Sequence, residues 1–156
     1  MDTAPIGTTL FFDWLKDKCS ASSKSLEALS GYRVEPRPTN LIARVSGAWT
    51  TPMQRLTVEQ VRLLTSQKMG LEWLAEPLCL FVREYPTAFV TLYSGDLSVA
   101  ALRAFSELLA RAPEQARAMA DAMFEWDSHW TKTDPAFAKE LHELVRSARV
   151  SARGHS

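Results

Sequence analysis

Cysteine is scarce in this sequence: Cys19 and Cys79 are the only two, far apart and outside any CxxC or Cys/His grouping. That argues against a disulfide scaffold and a zinc site, and fits a reducing compartment. Glycine is thin as well, six in 156 residues, and never clusters as a phosphate-cradling loop requires. No apolar run approaches the roughly 20 residues that span a bilayer. The opening MDTAPIGTTLFF carries Asp2 where a secretory leader carries Lys or Arg. Neither sign of charge dominates, because eighteen basic and eighteen acidic side chains cancel. A neutral chain has no bulk field to gather nucleic acid or an anionic membrane, so any charged recognition must be local. The expectation is a cytoplasmic protein with no cofactor, no metal, no membrane contact and no nucleic-acid partner.

What the chain does have is apolar side chains spaced three and four apart almost throughout. At 46% hydrophobic residues it is long enough to bury one core. The spacing predicts an all-α protein, an irregular single-domain bundle of about six to eight helices. Residues 1–24 read as an N-terminal extension whose short helix, bearing Leu10, Phe11, Trp14 and Leu15, packs loosely before the polar SASSKS. Residues 25–150 form the helical domain, and 151–156 a frayed tail.

Local signals place the joints. Thr57 and Gln60 match a capping box, with a helix following to about Met69. Gly70 stands where a left-handed residue closes such a helix. Pro77 interrupts the next apolar stripe, predicting a kink or a helix that begins there. Thr87 to Tyr93, TAFVTLY, has strand composition but no partner strand, and reads as an extended connector. Asp96 is placed to cap one helix carrying Leu97, Ala101, Phe105, Leu108 and Leu109. Pro113 opens another, and Asp134 with Pro135 the last.

The search for chemistry ends without a catalytic set. His142-Glu143 lacks the second histidine four residues on, where Arg146 stands, so a zinc helix is not formed. Cys79 lies on an apolar stripe, as a small hydrophobe does. Gly95-Asp96 puts a negative charge where a bound anion would sit. A non-enzymatic role is therefore expected. The tryptophans, including Trp126 and Trp130 in EWDSHW, are read either as core or as a recognition surface.

Charge layout is more informative. Residues 31 to 68 are mainly basic, with Arg33, Arg37, Arg44, Arg55, Arg62 and Lys68, whereas residues 112 to 145 are mainly acidic. The acids are either solvated helix faces or a surface that meets a basic protein. On the second reading Glu114, Asp121, Glu125 and Asp127 steer onto the partner, with Trp126 as anchor.

The run RLTVEQVRLLTSQKMGLEWLAEPLCLFVREYPTAFVTLYSGDLSVAALR, Arg55 to Arg103, resembles the immunity proteins of bacterial contact-dependent growth inhibition systems. The resemblance is carried by Leu56-Thr57-Val58-Glu59 with Arg62, by Gln67-Lys68-Met69-Gly70-Leu71 with Leu74, by Pro86, and by Tyr93-Ser94-Gly95-Asp96-Leu97 with Leu102-Arg103. The SLEAL near Ser25 fits the same pattern. The match covers roughly the middle third of the chain, leaving residues before about Ser23 and after Arg103 unaligned. It implies a small cytoplasmic protein that binds the toxic C-terminal domain of a large exported toxin, often a nuclease, and neutralises it by occlusion. A helical adaptor or regulator without a toxin partner is the alternative; an adjacent toxin gene would separate the two.

Overall fold

In the computed structural model the described residues are 6–15, 18–35, 39–93, 95–130 and 135–154, with side chains of 124–130 and 135–138 left aside. Among the described residues eight α-helices follow one another: α1 (Leu26–Ser30), α2 (Asn40–Thr50), α3 (Val58–Ser66), α4 (Leu71–Glu84), α5 (Asp96–Arg103), α6 (Phe105–Arg111), α7 (Pro113–Trp130) and α8 (Pro135–Gly154). The fold is all-α, as the apolar spacing requires. Helix α4 packs against α5, α6 and α7, while α7 packs along α8. One continuous core runs from Phe11 to Ala148 through Leu64, Leu74, Phe81, Leu108 and Met119.

Helix α3 shows how local chemistry sets an element. A helix begins with amides that have no partner inside it. Here Val58 N donates to the Thr9 carbonyl and Glu59 N to that of Gly7, each at 2.9 Å. Gln60 N donates to Thr57 Oγ1 at 3.2 Å, and Gln60 Oε1 accepts in return from Thr57 N at 3.0 Å. The capping box is complete. The amides before it are satisfied by a segment far upstream.

That upstream segment corrects an expectation. Residues 10–15 do not pack loosely: Phe11 and Leu15 are 0% exposed, and Phe12 is buried. Phe11 stacks on Phe81 of α4 with ring centroids 4.9 Å apart, and Trp14 meets Tyr85 edge-on. Phe11 N donates to the Leu56 carbonyl, and Leu10 pairs with Thr57 in an antiparallel bridge. Phe12–Trp14 form one 3-10 turn rather than a longer helix.

The far end of α3 also differs from the sequence reading. The helix stops at Ser66, and the left-handed residue that closes it is Lys68, at φ 55°. Met69 N donates back to the Leu64 carbonyl and Lys68 N to that of Thr65, both at 2.9 Å, which is the Schellman pattern. Gly70, also left-handed at φ 74°, instead opens α4, its carbonyl accepting from Trp73 N and Leu74 N. A Cβ on Gly70 would lie 2.8 Å from Leu26 Cδ1 and 3.3 Å from the Trp49 ring. The glycine is demanded by backbone and by space together.

The remaining boundaries are decided by burial and packing. Helix α4 begins at Leu71 and continues through Pro77, so no new helix starts there. Pro77 has no amide to give the Trp73 carbonyl, and the apolar burial of Leu74, Leu78, Phe81 and Val82 on the same helix offsets the lost bond. The single helix foreseen from Asp96 divides at Ala104, where the backbone swings to ψ 17° and α6 sets off with Phe105, Leu108 and Leu109 inward. Helix α2 passes through Gly47 to bury Ala48 and Trp49. At the end, α8 runs to Gly154, past the point where fraying was expected, and the Asp134 cap lies outside the described residues.

Candidate protein-binding surface

Asp96 is the residue whose role the structure changes most. The left-handed Gly95 is the N-cap of α5, and Asp96 is its first residue, almost fully buried. The carboxylate serves the preceding loop rather than its own helix. Oδ1 accepts from Val90 N at 3.0 Å, and Oδ2 accepts from Thr91 N and Leu92 N at 2.8 Å each. A buried carboxylate is stable only with such donors or a counter-charge. Arg62 supplies the charge, its Nε 4.0 Å from Oδ2 while donating to Thr91 Oγ1 at 3.0 Å. Arg62 shares the helical face of Glu59 and Ser66, three residues before and four after it, yet its side chain is only 12% exposed.

Other bonds close the loop between α4 and α5. Ser98 Oγ, itself buried, donates to the Pro86 carbonyl at 2.6 Å, and Gly95 N donates to that of Ala88 at 2.9 Å. Ala88 and Val90 point into the core. Phe89 and Leu92 are therefore forced outward, at 53% and 63% exposure, with Tyr93 partly exposed beside them. No strand forms across this stretch, in keeping with its reading as a connector. Gly7 lies against it so closely that a Cβ there would come within 2.4 Å of the Val90 carbonyl oxygen, which brings the exposed Ile6 alongside.

Beneath Leu92 and Tyr93 is a notch of about 120 Å³ lined by Arg62, Lys68, Arg103 and Asp96. Lys68 and Arg103 reach outward to Glu107 and Glu140 in pairs about half exposed to solvent. Burial pushes the Tyr93 phenol upward, Arg103 pulls it back, and Glu140 and Asp96 push it up again. Tyr93 is thus a neutral hydrogen-bonding ring at physiological pH.

A larger open groove of about 540 Å³ lies around Gly70, with Tyr32, Trp49 and Trp73 among its walls. Exposed ion pairs cross its rim, Lys68 to Glu107 at 3.5 Å and Arg111 to Glu72 at 3.2 Å. Glu107 Oε2 has no hydrogen-bond partner there.

The residues singled out from sequence are not all brought together. Thr57, Gly70 and Asp96 all hold joints of the scaffold. Glu114 and Asp121 are exposed on α7, and Asp121 lies 3.4 Å from Arg149 of α8. The side chains of Glu125, Trp126 and Asp127, in the same helix, lie outside the described residues. What the sequence reading missed is the set Phe89, Leu92 and Tyr93. Its signal was present: an apolar run with strand composition and no strand to pair with must leave alternate side chains in water.

Burial holds the Cys79 thiol up to about 12, with Glu76 adding to the effect, so it carries no thiolate at neutral pH. Among the described residues no group of three or more His, Cys, Asp or Glu is arranged to hold a metal ion, and no helix is long and apolar enough to cross a membrane. No family model, no curated protein and no solved structure matches the chain.

Proposed function

We propose that this chain is an immunity protein, which binds the toxic C-terminal domain of a partner toxin and neutralises it without turnover. The single observation that supports the reading is the organisation of Arg55 to Arg103. The residues that carry the resemblance to contact-dependent growth inhibition immunity proteins are the ones that build α3, the turn at Lys68 to Gly70, α4, the Asp96-centred loop and α5. They specify a rigid frame that presents apolar side chains, as a stoichiometric inhibitor needs. Inhibition then comes from occluding the toxin's substrate-binding surface. The acidic side of α7 is the second candidate contact in this scheme, with Glu114 exposed and Asp121 held by Arg149 in an exposed pair.

The test is to read the genes flanking this one and to co-express this chain in a bacterium with the toxin domain that they are expected to encode. Flanking genes without one would favour the adaptor reading. Growth restored by this chain, and not by an unrelated helical protein, is the expected result. Continued growth arrest while the chain accumulates folded would remove the proposal.

A further inference from the structure

We infer that the loop carrying Phe89, Leu92 and Tyr93, with the cationic notch beneath it, is a docking surface for a protein segment that presents a carboxylate beside apolar side chains. The inference rests on the protein-binding reading above and names the surface and the chemistry of the partner. Three observations converge on it.

The first is preorganisation. Flexible apolar loops lose entropy on binding, whereas this one has its backbone fixed by the Asp96 carboxylate, Ser98 and Gly95. The second is exposure. Phe89 and Leu92 stand out together on a short stretch whose intervening residues are inward or engaged, giving the clustered apolar anchors that dominate protein interfaces.

The third is charge complementarity. Arg62, Lys68 and Arg103 line the notch, and among the described residues lining it the one carboxylate, Asp96, already accepts three amides. Glu107 and Glu140 hold Lys68 and Arg103 only through solvent-exposed pairs, which are weak and exchange readily. An incoming Asp or Glu takes over those cations while its apolar neighbours cover Leu92 and Phe89.

Two probes test this with the full chain. One is the toxin domain encoded beside the gene, titrated against wild type, Leu92→Asp, Phe89→Ala, Arg103→Glu and the double variant Glu114→Lys/Asp121→Lys, each checked for an unchanged thermal melt. The loop and notch variants are expected to weaken binding about 30-fold or more, and the α7 variant far less. The reverse order would overturn the surface while leaving immunity intact. The other probe is a phage-displayed random-peptide library. Enrichment of peptides with an acid next to an aromatic or aliphatic residue, lost on Leu92→Asp, supports the surface even if the toxin domain fails to bind, in which case only the immunity reading falls. No enrichment, or a basic consensus, would overturn it. So would salt-sensitive binding of a DNA oligonucleotide that Arg103→Glu abolishes, which would make the notch a phosphate site instead.

Discussion

Arg62 and Asp96 face one another at 4.0 Å across the base of the α4–α5 loop, and between them they hold Thr91 by both side chain and backbone. Removing the carboxylate strands three amides, two of them only partly buried. Asp96→Ala is expected to lower stability by about 3 kcal/mol. Asp96→Asn, which keeps one acceptor oxygen, should lose roughly half of that. Urea unfolding of the two variants gives the comparison, and equal loss would show that the carboxylate's charge, rather than its acceptor capacity, organises the loop.

The turn from α3 to α4 uses two left-handed residues with opposite tolerances. Gly70→Ala adds a methyl 2.8 Å from Leu26 Cδ1 on a backbone at φ 74°, so it should cost about 2 kcal/mol. Lys68→Gly removes strain at φ 55° and loses only an exposed ion pair, so it should gain about 0.5 kcal/mol. Opposite shifts of the urea midpoint are expected, and a loss at both positions would contradict the account.

Phe11 is fully buried against Phe81, so Phe11→Ala should cost about 3 to 5 kcal/mol. Deleting residues 1–15 should do more, because it also strands the first amides of α3. Hydrogen exchange offers the sharper readout: Val58 and Glu59 amides should become exposed to exchange in the truncated chain while the interior of α4 stays protected longest.

Cys79 gives a pH dependence with a definite sign. Its folded thiol is raised from 9.0 to about 12. Between those values the folded chain keeps a proton that the unfolded chain releases, so this group's stabilising contribution is intact below pH 9.0 and shrinks as pH rises toward about 12. Thermal melts of wild type should therefore fall more steeply above that lower value than those of Cys79→Ala. Alkylating reagents should leave native Cys79 untouched at neutral pH and label it on unfolding.

The sequence disclosed helices well because their evidence is local: the Thr57 and Gln60 box, the apolar spacing of α4, and Pro113. It failed wherever a distant residue decides. Nothing near Leu10 or Phe11 announces that they dock on α3 and Phe81 of α4. The rule that acids cap helices was correct as a preference at Asp96, but the three amides of the preceding loop outcompeted the helix's own. Arg62 has a solvent-facing position by helical spacing and became nearly buried because the loop folds over it. The exposed Phe89 and Leu92 were legible only as an unpartnered apolar run. Pro77 shows the limit of a propensity argument, since tertiary burial of the surrounding stripe keeps the helix whole.

The strap of residues 7–15 also orders events in time. Residues 7–15 are made before residues 56–59 and 81–85, so the burial of Phe11 and Leu15 waits on surfaces that come later in the chain. Closing so wide a loop is slow compared with forming α4 alone. The capped start of α3 and the seating of the aromatic loop on Gly7 are therefore late steps. A newly made copy is fully packed only once residues 7–15 have been tucked against surfaces made after them.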